Sequence, residues 1–318
     1  MVGVAAVSVA ALLQAAPAPQ KGGDKTTYCI AIGADEKPVT NMTKDDFAIR
    51  EDQVDRTVVS AKQATDPIDI VLIIDTSKSS SSPDSIALLR DGLVSFAKTL
   101  YGGPAPVTMS VVNSAGSSVT VAENKKSLDD VTKTLQKTFA DTTSGGTVIL
   151  EAIADAAKQL AKSPDPRRAI VVVNMDAISE GSSLNPPDVL QKLIASGASL
   201  WAVTYQNQAT KNLSATGSSQ SGGGGSSSKG AGNGSSVGMG NLGQTRELVL
   251  QRSPALGGAR FPIEAASGLQ ARLNEVASFL VNQYAVTYTR PDGPLPKLFQ
   301  MASVRPDAKV GFSQIPVK

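Results

Sequence analysis

The chain of 318 residues contains no histidine and a single cysteine, Cys29. Without imidazole, Ser-His-Asp and Cys-His nucleophile systems and His-ligated zinc are excluded, and one thiol cannot close an intramolecular disulfide. A charge bias is missing as well: 30 Lys+Arg face 28 Asp+Glu, a formal balance of +2. No overall field exists to recruit nucleic acid or an anionic membrane, so no nucleic-acid partner is expected. Aromatic residues make up only 4%, which leaves Val, Ile, Leu and Ala to build the core. The apolar run from Val2 to Leu13 is too short to span a bilayer, and no stable membrane span is expected. The length suits one large domain with additions, and a compact part of about 200 residues would bury roughly 70% of its unfolded surface.

What is present divides the chain into four parts. Residues 1–25 begin MVGVAAVSVAALLQAAPAPQ, which resembles the apolar part of a secretory signal peptide and points to a secreted or periplasmic protein, with a disordered Ala/Pro leader as the alternative. The positive n-region is missing, and a cut after Ala16 or Ala18 would face a proline; a start placed too far downstream would explain the absent charge. Residues 26–66 read as a small β unit, with TYCIAIG, FAIRED and RTVVSA alternating around turn-rich connections. Residues 67–290 alternate continuous apolar strands, IDIVLII and AIVVV among them, with segments of helical spacing such as Ser85 to Leu100 and Val148 to Ala161. This alternation predicts a doubly wound α/β domain whose mostly parallel sheet is covered on both faces. Within it, residues 207–243 are Gly/Ser/Asn-rich and hold 11 of the 28 glycines; a segment that buries so little apolar surface is expected to be a flexible insertion. Residues 291–318 read as a C-terminal β tail.

In a doubly wound sheet, ligands bind at the carboxyl ends of the strands, so the first polar residues after each apolar run are the candidates. The first run ends VLIIDTSKSS, placing Asp75, Ser77 and Ser79 where the chain leaves the sheet. The loop TTSGGTVILEAI presents Thr147 at a helix N-terminus, and the strand ending VVVNMD brings Asp176 to the same edge. Five oxygen side chains from three loops are expected to converge, and an all-oxygen set selects Mg²⁺, Mn²⁺ or Ca²⁺ over zinc or copper.

These residues resemble the metal-ion-dependent adhesion site of the von Willebrand factor type A domain. The segments KPVTNMTKDDFAIREDQ, SGGTVILEAI, RRAIVVV and NQYAVTYTRP are also similar to a bacterial branch of that family, secreted proteins first catalogued in acidobacteria. The resemblance implies that Ser77, Ser79 and Thr147 are direct oxygen ligands and that Asp75 and Asp176 act through ordered waters. The family usually has Asp-Gly at the strand end where this chain has Asn174, Met175, Asp176 and Ala177. A shifted register would put Asn174 or Met175 in the key position. Mg²⁺ seeks six oxygens, so three hydroxyls leave open positions, and an ion held by neutral hydroxyls keeps much of its positive charge. The expected function is therefore a non-catalytic, metal-ion-dependent protein-binding module that engages an Asp or Glu carboxylate of a partner protein.

Two other classes remain open on the residues alone. A metal-assisted hydrolase could use Asp75 and Asp176, since carboxylates are the bases available without histidine; a nucleotide-dependent enzyme lacks a Gly-Lys-Ser/Thr phosphate loop. The third is a structural domain with a degenerate metal site. Gly238-Met-Gly240-Asn-Leu-Gly243 follows a low-complexity stretch instead of a strand, which argues against a dinucleotide site. Arg167-Arg168 reads as a solvated strand entry and Trp201 as core.

Overall fold

A computed structural model of the chain describes residues 22–77, 83–137, 146–175, 180–205 and 242–313. Residues 1–21 of the leader, and nearly all of the Gly/Ser-rich insertion with most of the glycine motif that ends it, lie outside the described residues; residues 22–25, assigned to the leader by composition, instead open the first strand. Leu242 and Gly243, assigned to the insertion by composition, instead open a helix.

The central sheet has six strands: β5 (Ile68–Ile74), β6 (Val107–Asn113), β7 (Val119–Lys125), β8 (Arg167–Asn174), β9 (Ser199–Tyr205) and β10 (Arg260–Ile263). Their order is β10-β9-β8-β5-β6-β7. All neighbours run parallel except β7, which is antiparallel to β6. The apolar sequence of β5, broken only by Asp69, follows from its central place, where both faces are covered and every residue is buried.

Period-two geometry sends alternate side chains of β5 to opposite sides. Ile70, Leu72 and Ile74 join a cluster with Leu89, Leu93 and Phe96 of α1 (Pro83–Tyr101) and Leu273 and Val276 of α6 (Leu269–Val281). Val131 and Leu135 of α2 (Leu128–Lys137) complete that layer. Val71 and Ile73 pack with Ile153 and Ala157 of α3 (Ile149–Leu160), Leu193 of α4 (Pro186–Ser196) and Val249 of α5 (Leu242–Leu250). The alanines of α3 keep that helix close to the sheet. Helix α4 starts where the Asn185 side chain accepts the amide of Asp188, and stops at Gly197, whose φ of 65° is the left-handed cap glycine tolerates best.

The two terminal segments share sheets. Strands β1 (Gly22–Gly33), β4 (Val58–Gln63), β11 (Tyr284–Pro291) and β13 (Ala308–Ser313) form an antiparallel sheet in the order β13-β1-β11-β4. Strands β2 (Phe47–Glu51), β3 (Val54–Arg56) and β12 (Phe299–Ser303) form another, β12-β2-β3. YAVTYTR thus belongs to the terminal sheet and not to the parallel one, as its alternating pattern permits: Tyr284 donates to the carbonyl of Val39 at 3.0 Å and Tyr288 to Glu51 Oε1 at 2.8 Å. Strand β1 lies between the layers, with Cys29 and Ala31 facing the terminal core and Ile30 and Ile32 the central one.

The expectation that Arg167 sits in solvent is overturned. Arg167 is 1% exposed, and its guanidinium satisfies main-chain and amide acceptors between the layers. Arg168 donates to the carbonyls of Ser163, Asp165 and Ser196 at 2.7, 3.0 and 2.9 Å. Trp201 is fully buried, as a core residue should be, with its indole N–H donated to Ser199 Oγ at 2.8 Å.

One acid sits unusually within this sheet. Asp69, the second residue of β5, is buried, and desolvation raises its carboxyl above the usual carboxylate range; Asp165 adds to the rise, while Ser163 and Arg168 oppose it. A native pKa above the unfolded one means that the folded state holds the proton more tightly, so stability falls as pH climbs from the ordinary carboxylate range through the raised value. Asp69→Asn should remove that slope and be more stable than wild type at neutral pH. Urea unfolding at about pH 4 and about pH 7 measures it, and an unchanged slope in the variant would rule this cause out.

Candidate metal centre

The chain moves from β5 to β6 on one side and later returns to β8 on the other, so the carboxyl ends of β5 and β8 form the switch point of the sheet, where such folds open a crevice. Asp75 continues the ladder by donating its amide to the carbonyl of Val173 at 3.0 Å. Its carboxylate then turns the chain out of the sheet: Oδ1 accepts the amide of Ser77 at 2.9 Å, an Asx turn. Oδ2 accepts Asn174 Nδ2 at 3.0 Å. Asp75, Thr76, Ser77 and Asn174 are all buried. Two neutral amides, of Ser77 and Asn174, donate to Asp75 and orient its carboxylate.

Thr147 reaches the same edge through the end of β6. The amide of Ser114 donates to the carbonyl of Ile74 at 3.0 Å, and that of Val148 to the carbonyl of Ser114 at 2.8 Å. The hydroxyls of Ser114 and Thr147 lie 3.1 Å apart. Thr147 also bridges Ala115 on one side and Glu180 on the other. The threonine hydroxyl is therefore held one residue away from the strand end that carries Asp75. Asn113 fixes the intervening turn by accepting Thr76 Oγ1 at 2.9 Å and the amide of Ala115 at 3.0 Å.

Glu180 closes the other flank. Its side chain is buried and accepts the first-turn amide of Ile149 at 3.2 Å, the hydroxyl of Ser182, and Arg246 Nη1 at 3.4 Å. Burial pushes its carboxyl up to about 7, against the opposing pulls of Ser182, Arg246 and the Ile149 amide. The carboxylate sits at the N-terminus of α3, where the helix dipole favours negative charge. Arg246 belongs to α5, so this pair ties the Thr147 loop to the helix that follows the insertion.

The structure thus brings together Asp75, Ser77 and Thr147, three of the five residues the sequence singles out. Ser79 and Asp176 lie outside the described residues. Asn174 faces the site and bonds Asp75, whereas Met175 is buried in the central core. The sequence reading missed Asn113, Ser114 and Glu180. The first two close the segment VTMSVVNS, and the rule that selects Asp75, the first polar residues past a strand, would have found them. The acid of NMDAISEGS carries no such signal, because a non-local bridge sets its place.

The donor chemistry suits a hard divalent ion: one buried carboxylate, two hydroxyls, and no thiol or imidazole, since Cys29 is buried in the terminal sheet. Among the described residues no group of three or more His, Cys, Asp or Glu side chains is placed to hold a metal, so an ion here would depend on hydroxyl oxygens.

Residues 69–226 match the family model of the von Willebrand factor type A domain. No curated protein matches the chain. Among solved structures, a von Willebrand factor type A protein from Catenulispora acidiphila is 10% identical with a TM-score of 0.46, covering 95% of this chain and 75% of that one. Proximal thread matrix protein 1 from the mussel byssus, with a zinc-occupied MIDAS motif, is 12% identical with a TM-score of 0.47, covering 73% of this chain and 49% of that one. The minor pilin PilB of Streptococcus sanguinis is 12% identical with a TM-score of 0.44, covering 69% and 62%. The matched region spans about half the length of the byssal protein.

Proposed function

The chain carries a von Willebrand factor type A domain over residues 69–226, and on that premise we propose that it is a non-catalytic, metal-ion-dependent protein-binding module acting at the carboxyl edge of its sheet. The observation that supports this reading best is the convergence of Asp75, Ser77 and Thr147 on one edge, with the Ile74–Ser114–Thr147 bonds holding two separate loops together. In this reading Ser77, Ser79 and Thr147 hold Mg²⁺, Mn²⁺ or Ca²⁺ with hydroxyl oxygens, while Asp75 and Asp176 contribute through water. A divalent ion held by neutral hydroxyls keeps its charge and an open position, which suits an Asp or Glu carboxylate of a partner protein. Asn174 and Asn113 act as positioning residues, orienting Asp75 and the turn after β5. Among the described residues no helix is long and apolar enough to cross a membrane, and the leader-like first residues support a secreted or periplasmic protein.

The test is calorimetric titration of wild type and Ser77→Ala with Mn²⁺ and Mg²⁺, followed by capture of partners from the extracellular fraction with and without EDTA. Ser77→Ala is expected to weaken ion binding by about tenfold or more, as loss of a charge-assisted contact does, and to lose EDTA-sensitive capture while keeping the wild-type circular dichroism. Wild type that takes up neither ion would instead support a structural domain with a degenerate site, a reading favoured by the neutral amide of Asn174 at the strand end.

A further inference from the structure

The opposite edge of the central sheet, where the strands begin, holds a cavity of about 850 Å³. It lies between the start of β5, strands β6 and β7, and the last turn of α3, on the far side of the domain from Asp75. Asp69 lines it. Only 6% of that residue is exposed, and its Oδ1 is buried with no hydrogen-bond partner. A carboxylate oxygen is an obligate acceptor, and leaving one buried and unpaired is costly enough that such groups ask for a donor.

The protein does not supply that donor from Arg168, the cation that acts on Asp69. Arg168 spends its guanidinium on the three carbonyls of Ser163, Asp165 and Ser196. Among the described residues, no lysine or arginine forms an ion pair with Asp69 or with Asp165, which also lines the cavity. Bound to neutral carbonyls, Arg168 keeps its charge and acts on Asp69 from nearby, and the two carboxylates, Asp69 and Asp165, still leave the floor net negative. The rim is the reverse: exposed Lys126, Lys158 and Lys162 outnumber Glu123 and Asp155. Lys158 is in the last turn of α3 and Lys162 in the turn that follows it. Gln159 between them is fixed by its donation to Ser110 Oγ at 2.8 Å. The cavity is thus polarised, negative at its base and positive at its mouth, and its volume lies in the range of small-molecule sites.

We propose that this cavity binds a small zwitterionic amine, of the amino-acid or short-peptide class, whose ammonium donates to Asp69 and whose anionic end meets the lysines at the rim. An ammonium supplies the donor Oδ1 lacks and a charge-assisted bond in a largely dehydrated place. An anionic ligand would set its charge against Asp69 and Asp165, and a plain amine would leave the lysines unmatched.

Calorimetry with three probes of one chain length, 6-aminohexanoate, hexylamine and hexanoate, tests this in EDTA, so that no ion at the other edge contributes. Wild type should bind 6-aminohexanoate most tightly, hexylamine more weakly and hexanoate not at all. Asp69→Asn should weaken both amines by about tenfold or more while keeping the wild-type fold by circular dichroism. The paired change Lys158→Ala and Lys162→Ala, both at exposed positions, should bring 6-aminohexanoate down to the affinity of hexylamine and leave hexylamine unchanged. Absence of heat from both amines at about 10 mM overturns the proposal, since water then serves Asp69. Amine binding that Asp69→Asn does not alter overturns it too, as does a lysine pair without effect on 6-aminohexanoate.

Discussion

Asp75→Ala is expected to abolish the response of the protein to magnesium and manganese, with the largest functional effect of any single substitution at the site. Wild type at an ion concentration of one hundred times Kd should gain about 2.7 kcal/mol of stability by mass action; the variant should gain none, and its partner capture should no longer depend on EDTA. The reason lies in how many things the carboxylate does. Oδ1 makes the turn that presents Ser77, and Oδ2 takes the amide of Asn174, so truncation removes the negative charge and also frees the loop that aims a hydroxyl. Asp75→Asn separates these roles. Its carbonyl oxygen can still accept from Ser77, but its amide then confronts the amide of Asn174, donor against donor. The asparagine variant should keep most of the apo stability and still lose the ion response. The alanine variant should also lose about 1–2 kcal/mol without any ion, the cost of an unmade turn bond and an orphaned buried amide. Thermal or urea unfolding with and without Mn²⁺ reads both quantities. An alanine variant that still gains stability from Mn²⁺ would show that the ion, if bound, sits elsewhere.

How much of this was legible beforehand depends on how locally each feature is determined. The sheet was legible because IDIVLII, VTMSVV, AIVVV and SLWAVTY are strand-length and largely apolar, and alternate with helical segments, the pattern of a covered parallel sheet. Asp75, Ser77 and Thr147 were legible because strand ends in such a sheet are where side chains can meet a ligand. The pairing of the two chain ends into common sheets was not. Tyr28 opposite Ala285 and Phe299 opposite Glu51 join residues separated by most of the chain, and no short window encodes that register. Glu180 was missed for a similar reason: its acidity was visible, but its burial arises from the bridge to Thr147 and from Arg246, 66 positions later. Asp69 was hidden in another way. IDIVLII reads as a continuous apolar strand despite its one acid, and only the packing of α3 over that end makes Asp69 a buried group beside a cavity.

Arg167 makes the same point with a larger energy, because two adjacent arginines at a strand entry look like surface charge and one of them is the polar joint of the molecule. Arg167→Ala should cost about 4 kcal/mol, a large share of the roughly 5–15 kcal/mol that holds a domain of ordinary size together. Nε and Nη2 both donate to Gln283 Oε1, at 3.0 and 2.8 Å; Nη1 donates to the carbonyl of Asp66 at 3.2 Å, and Nη2 also to that of Leu280. Its Cζ lies 5.9 Å from the centre of the Tyr28 ring. One side chain thus joins the linker before β5, the end of α6, the entry to β11 and strand β1, which are the places where the terminal sheet meets the central one. Desolvation lowers its pKa to about 10, so it is still charged at neutral pH. Truncation therefore leaves three acceptors without their donor in a place closed to water, and adds a cavity. Arg167→Met keeps the stem and fills most of that space, so it isolates the polar part and should cost about 2–3 kcal/mol. Arg167→Lys keeps the charge, but one ammonium cannot reproduce a planar fork that reaches acceptors in three directions, so it should fall nearer to Met than to wild type. Urea midpoints of the four proteins give the order wild type, Lys, Met, Ala. If Met unfolds at the wild-type midpoint, the guanidinium bonds contribute nothing net and the joint is held by apolar packing of Ile30 and Ile32 alone.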